Sequence, residues 1–308
     1  MSEQNLYLKY RPTSLEEVYG NRNIIPILKS MIKNDKVPHA MLFHGPSGCG
    51  KTTLARIVAT ELGVSSVSLS EYDSAQFRGI DTVRDIRREC GYAPLKGDIR
   101  VYILDEVHKL TNDAQNGLLK ILEDTPPHVY FMLCTTDPNK LIAAIKTRCS
   151  QMQVNPLTDE EMKELLRYVV KAEDEKLAKE VYEQIIKDSF GSPRQALQIL
   201  NQVLQVEDEE RLEVAKQTAE KESQAIELAR ALFGKKKWAD IAVILRQLKD
   251  QDVEGTRRVV AGYATTILLS KNDPLAGLIL EYFVGNFYDT GFPQLVHACY
   301  AVSVGANS

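Results

Sequence analysis

Residues 44–53 read HGPSGCGKTT. Within them Gly45, Pro46, Ser47, Gly48, Cys49, Gly50, Lys51 and Thr52 match G-x-x-x-x-G-K-S/T in full, the pattern of a phosphate-cradling loop. Its glycines let successive backbone N–H groups curl around an anion, and a helix starting near Lys51 adds its positive N-terminal end. Lys51 would reach β- and γ-phosphates, and the Thr52 hydroxyl would ligate Mg²⁺, with Thr53 beside it on the same turn. A plain Gly-rich turn is the alternative. The loop follows the apolar run AMLF and precedes LARIVATEL, which is the strand, loop and helix context the pattern requires.

Such a loop also needs an acid at the end of a neighbouring strand, and RVYIL, residues 100–104, ends in Asp105-Glu106. Asp105 would hold the Mg²⁺ hydration shell, while Glu106 is placed to polarise an attacking water. An acidic pair after a strand can equally cap a helix; beside the loop, the catalytic reading is the better one. The order Asp105-Glu106-Val107-His108 superficially resembles helicase boxes. No further helicase motif accompanies it, so His108 is read as structural.

Two kinds of segment must position these residues. Apolar, β-branched runs at 40–44, 67–69, 101–104 and 129–134 alternate with helical patterns at 51–62, 82–90 and 113–123. Alternation of this kind predicts a parallel sheet with helices on both faces. After Asn155-Pro156 no convincing strand follows. Helical stretches at 159–171, 176–188 and 193–206 come next, the last opening with Pro193 in a first turn. An acidic cluster at 207–210 reads as a boundary. Helical pattern then runs from about Ala215, with Gly234, Gly255, Asn272-Asp273-Pro274 and Thr290-Gly291-Phe292-Pro293 as breaks. The predicted plan is an α/β domain over 1–155 built on a five-stranded parallel sheet, a small helical domain over 156–210, and an all-α domain over 211–308.

At 308 residues the chain is long enough for two or three cores. No run approaches 18 apolar residues and the N-terminus has no apolar leader pattern, so the expected location is the cytosol, with no membrane partner. The five cysteines are scattered without a C-x-x-C pair, which argues against a zinc site or a disulfide framework. Residues 1–150 carry 19 Lys+Arg against 17 Asp+Glu, and the remainder 19 against 25. Any nucleic-acid surface is therefore expected in the first half.

Taken together, the residues resemble the AAA+ ATPase subunits of sliding-clamp loaders. Tyr10-Arg11-Pro12 followed by LEEVYGN, residues 15–21, resembles the family's N-terminal adenine-side box. LDEVHKLTNDAQNGLLKILEDTPPHVYFMLCTTDPNKL, residues 104–141, is similar to the bacterial tau/gamma subunit, whereas Arg78-Gly79-Ile80 with Val83-Arg84 resembles replication factor C small subunits. Thr147-Arg148-Cys149 stands where the family has Ser-Arg-Cys, and Gly191-Ser192-Pro193-Arg194 where it has its second sensor. The likeness is strong over roughly residues 5–205, and the last helices look like the family's collar.

That resemblance implies ATP and Mg²⁺ as ligand and cofactor. It implies Thr136 as a first sensor beside the γ-phosphate, Arg194 as a second sensor from the helical lid, and Arg148 as an arginine finger acting on a neighbouring subunit. Arg11, Val18 and Tyr19 would lie near the adenosine. Each has a bland alternative: Arg148 as a helix-end cation, Arg194 as a surface cation, Thr136 as a strand-end hydroxyl. The implied partners are a sliding clamp, primer-template DNA read independently of sequence, and other loader subunits in a pentamer. Val83 and Ile86 are candidates for clamp contact, with core packing an equal reading for Ile86. Arg78, Arg84, Arg87, Arg88 and Lys109 are candidate DNA contacts, a solvated basic face being the alternative. Two departures, the absent four-cysteine zinc module of tau/gamma and threonine for serine at 147, suggest a compact loader acting in a bacterial or phage-infected cell. The competing function is a DNA-translocating AAA+ motor of the branch-migration type, and a third reading is a non-hydrolysing scaffold.

Overall fold

The computed structural model describes residues 5–73, 79–249, 253–271, 273–287 and 290–306, with the backbone alone at 216–223, 266 and 269–271. It divides into two compact units, Met1–Leu212 and Glu213–Ser308.

In the first unit a short helix α1 (Leu6–Lys9) and α2 (Ile25–Lys33) lead into β1 (Ala40–His44), α3 (Lys51–Glu61), β2 (Leu69–Tyr72), α4 (Ile80–Cys90) and β3 (Arg100–Leu104). They are followed by α5 (Asn112–Glu123), β4 (Val129–Thr135), α6 (Ala143–Arg148) and β5 (Ser150–Gln153). The strands form one parallel sheet in the order β2-β3-β4-β1-β5. The strand alternation sorts side chains onto two faces, as a pleat of period two demands. Leu42, Tyr102, Leu104, Phe131 and Leu133 pack with α4, α5 and α6, while Met41, Phe43, Val101, Ile103 and Met132 pack with α2 and α3. Each such fully buried large side chain contributes roughly 1.5–3 kcal/mol relative to exposure.

The expected strand at 67–69 begins instead at Leu69 and runs to Tyr72; just before it the Ser65 and Ser68 hydroxyls donate to the Lys96 carbonyl. The fifth strand is Ser150–Gln153, a polar tetrad in which Met152 alone is buried; its edge position needs no apolar run. β4 also lies between β1 and β3, so the strand carrying Asp105 is not paired with the strand feeding the glycine loop. That insertion brings Thr135 and Thr136 to the centre of the sheet's C-terminal edge.

Helices α7 (Asp159–Ala172), α8 (Lys179–Ser189) and α9 (Pro193–Val203) complete the unit. Thr158 and Glu161 form a reciprocal capping box on α7, and Ser192 caps α9 with Pro193 in its first turn.

The second unit is helical: α10 (Arg211–Phe233), α11 (Trp238–Gln247), α12 (Val253–Lys271), α13 (Pro274–Phe283) and α14 (Phe292–Gly305), around Leu228, Ile244, Val260, Ile279, Phe283 and Cys299. Gly255, expected as a break, lies inside α12, where Glu254 and Arg257 tie the first turn to Phe283 and Phe287. Among the described residues no helix is long and apolar enough to cross a membrane.

Candidate active site

The glycine loop is shaped by what surrounds it. The Gly45 N–H donates to Thr135 O (3.3 Å) and its φ is +151°. A Cβ there would stand 2.0 Å from the carbonyl oxygen of Val154, the residue just past β5. At Gly48 φ is +73°, and a Cβ would meet Ser192 Oγ at 2.2 Å. The start of α9 therefore closes on the loop, and the Arg194 N–H donates to Gly48 O at 3.4 Å. A backbone this crowded leaves room for glycine alone.

Lys51 opens α3 and is buried, its Nζ donating to Gly45 O (3.0 Å) and Pro46 O (2.8 Å). Burial pulls its pKa down, partly offset by Glu106 and Asp105. The Thr52 hydroxyl donates to Asp105 Oδ2 at 2.7 Å, and the other Asp105 oxygen accepts the Glu106 N–H at 2.9 Å. Glu106 itself has φ +52° and ψ +40°, a left-handed conformation that ends the strand and swings its side chain to the sheet edge. Its Oε2 accepts the Thr136 hydroxyl at 3.1 Å. His108, read from the sequence as structural, stands 3.2 Å from the same oxygen and 3.0 Å from Thr135 Oγ1.

Beside them opens a cleft of about 780 Å³, whose lining includes neither Gly45, Pro46 and Thr136 nor His108. Gly48, Lys51, Thr52, Thr53, Asp105 and Glu106 form its polar floor, and Arg11, Val18, Tyr19 and Arg194 are on its walls. Arg11 Nε donates to Thr53 Oγ1 (3.1 Å), and burial lowers its pKa. Further wall residues include Tyr10, from the N-terminal box, and Tyr7, Leu165, Tyr168 and Leu197, which the sequence reading missed. Tyr168 packs edge-on to Tyr10 (6.1 Å) and tilted to Tyr19 (6.3 Å). A signal existed: on the amphipathic α7, Tyr168 is an aromatic residue on the exposed side.

The cleft's volume lies within the range of small-molecule sites. Anion donors and cations at one end with aromatic and aliphatic walls at the other suit a nucleoside polyphosphate, and adjacent hydroxyl and carboxylate oxygens on Thr52 and Asp105 suit a hard divalent cation.

Arg148 does not line this cleft; it ends α6 and pairs with Glu123 (3.3 Å) on the surface. Val83 and Ile86 are 2% and 0% exposed, packed between α4, α5 and the sheet, so the expectation that they form a partner surface is corrected: their stripe is core. On the outer face of α4, Arg84 and Arg88 are exposed but pair with Asp81 (2.9 Å) and Asp85 (3.2 Å) one turn away, while Arg87 and Lys109 are exposed. Arg78 lies outside the described residues.

The family model for DNA polymerase III, delta subunit, matches residues 65–158. The chain is 34% identical over 222 residues to the DNA polymerase III subunit gamma/tau of Mycobacterium tuberculosis, covering 65% of this chain and 38% of the relative. It is 35% identical over 236 residues to the Bacillus subtilis tau subunit (68% and 42%), and 31% identical over 225 residues to the gamma subunit of Buchnera aphidicola (66% and 62%). The chain thus spans about two fifths of the length of the first two relatives. Among solved structures, the Thermotoga maritima RuvB Holliday junction branch migration motor aligns with a TM-score of 0.57 at 21% identity, over 94% of this chain and 91% of that one, a likeness of fold. Over about two thirds of its length the chain is similar to gamma, tau and gamma/tau subunits of DNA polymerase III, which supports its resemblance to the clamp-loader AAA+ ATPase subunits.

Proposed function

We propose that the chain is an ATPase subunit of a DNA-polymerase sliding-clamp loader, using ATP binding to hold a ring-shaped clamp open and DNA-triggered hydrolysis to release it on primer-template DNA. The observation that carries this reading is the pairing of Thr52 with Asp105 on the cleft floor and of Glu106 beside them with Thr136 behind it, in a chain similar to polymerase III subunits.

In this reading the loop amides and Lys51 hold the β- and γ-phosphates, Arg11 and Arg194 grip the nucleotide from either wall, and Val18, Tyr19 and Tyr168 enclose the base. Mg²⁺, held by Thr52 and Asp105, would supply charge neutralisation on the phosphates. Glu106 orients a water and takes its proton as the water oxygen bonds to the γ-phosphorus; the bond to the bridging oxygen breaks, giving ADP and phosphate. Thr136 holds Glu106. Arg148, outside its own cleft, reaches the site of an adjacent protomer in a pentameric assembly, and the helical second unit provides oligomer contacts. Arg84, Arg87, Arg88 and Lys109 meet DNA through phosphates without reading sequence. The location is the cytoplasm of a bacterial or phage-infected cell.

The branch-migration reading draws support from the RuvB likeness, which is one of fold. ATP hydrolysis measured with clamp alone, primed DNA alone, and both separates the two. Joint stimulation, lost in Glu106→Gln and in Arg148→Ala while nucleotide binding persists, is the expected result. Strand displacement without any clamp, or hydrolysis indifferent to both ligands, would refute loading.

A further inference from the structure

We propose that His108 is a positioning residue for Glu106: its Nδ1–H and the Thr136 hydroxyl together hold Oε2, leaving Oε1 to face the cleft. The inference rests on the reading of Glu106 as the base proposed above.

The backbone makes the contact possible. Glu106 is left-handed and residues Val107–Lys109 form a single 3₁₀ turn, which sends Val107 into the core and folds His108 back behind the carboxylate. The imidazole is itself anchored. Thr135, fully buried at the end of β4, lies 3.0 Å from Nδ1 and accepts the Asp137 N–H at 3.1 Å. His108 is absent from the cleft lining and its side chain is 10% exposed, so it acts on the reaction only through Glu106.

The ring's proton has a defined place. Burial lowers the imidazole pKa, with Glu106 opposing, so a neutral ring carries one N–H. Were Nδ1 unprotonated, its lone pair would face a carboxylate oxygen 3.2 Å away, acceptor against acceptor. The Nδ1–H tautomer makes both contacts attractive: its proton is hydrogen-bonded to Thr135 Oγ1 at 3.0 Å and draws the carboxylate oxygen at 3.2 Å as a second, longer partner. Glu106 then has two donors on one oxygen from two different segments, the 3₁₀ turn and the end of β4. A base fixed at two points keeps its remaining lone pairs on a chosen line toward the water, as general base catalysis requires.

Two measurements on the full chain test this. In the ¹⁵N-histidine-labelled protein, with the His108 signal assigned by its loss in His108→Gln, the ring should be neutral and protonated at Nδ1. Glu106→Ala should move it toward the Nε2–H form. A wild-type Nε2–H tautomer, or no response to Glu106→Ala, overturns the proposal whether or not hydrolysis is measured. In steady-state hydrolysis with the stimulating partners, His108→Leu should lower kcat roughly ten-fold or more, the size expected for a lost hydrogen bond to a charged group, with KM and nucleotide Kd within about two-fold. His108→Asn, which keeps a donor near the Nδ1 position, should recover most of the rate. A rise in kcat, an effect on KM alone, or equal rates in Leu and Asn variants would overturn it. If Glu106→Gln hydrolyses like wild type, the assignment of the base fails; if Glu106→Gln is dead while His108→Leu is normal, only the role of His108 fails.

Discussion

Glu254 offers a quantitative test of how the second unit is held together. Its side chain is 8% exposed, and it accepts Arg257 at both oxygens (2.7 and 2.8 Å), Arg258 Nε at 3.2 Å and the Phe287 N–H at 3.1 Å. Burial alone would raise its pKa, but the bonds from Arg257, Phe287 and Arg258 outweigh burial and hold it at about 2, against an ordinary 4.5. At 1.36 kcal/mol per tenfold change in proton affinity, that difference amounts to about 3 kcal/mol of stability. Because the folded pKa is the depressed one, this contribution is fully present above pH 4.5 and is lost as the pH falls toward 2. Glu254→Gln removes the charge and one of the two acceptor oxygens, leaving the half-buried Arg257 with the amide oxygen and the Phe283 and Val284 carbonyls. Trp238, the chain's single tryptophan, packs edge-on to Tyr300 in this unit, so its emission reports unfolding here. In urea at pH 7 the variant's midpoint should fall by roughly 1–3 M, given a denaturant slope of about 1–3 kcal/mol per M. The gap between variant and wild type should close as the pH is lowered from 4.5 toward 2. A gap that stays constant over that range would refute the assignment of the depressed carboxyl to this pair.

Two further outcomes follow from packing. Gly48→Ala places a methyl 2.2 Å from Ser192 Oγ at φ +73°; nucleotide affinity should fall roughly five- to thirty-fold for a strain of about 1–2 kcal/mol, with far-UV circular dichroism unchanged, and an affinity within two-fold of wild type would contradict the observed closure of α9 on the loop. Ile86→Ala should destabilise the first unit by about 2–5 kcal/mol, seen as a lowered thermal midpoint, because the site is fully enclosed; unchanged stability with weakened clamp binding would restore the surface reading of this stripe.

Much of the candidate site's local geometry was legible because it depends on near neighbours. Gly45–Thr52 joins a strand to a helix without interruption, and the glycines, lysine and threonine act through backbone N–H groups and side chains within one turn. Asp105-Glu106 was likewise readable as the end of an all-buried strand. β5 was not, since SQMQ at a sheet edge has one buried residue and no β-branched run. Ile86 could not be assigned from its spacing, because an apolar stripe on a helix looks the same whether it meets a sheet or a partner.

By itself the sequence determined the alternation of most strands and helices, the glycine loop between a strand and a helix and the acidic pair at a strand end, because each depends on neighbours a few positions away. Tertiary structure alone decided that β4 separates β1 from β3 and so carries Thr135 and Thr136 to Glu106 and His108. It also decided that Tyr168 joins Tyr10 and Tyr19 across about 150 residues of chain, and that Ser192 closes on Gly48. Contacts of that kind depend on which strands pair and where a helix lands. Those choices are settled by burying apolar faces over the whole unit, and no short stretch of residues records them.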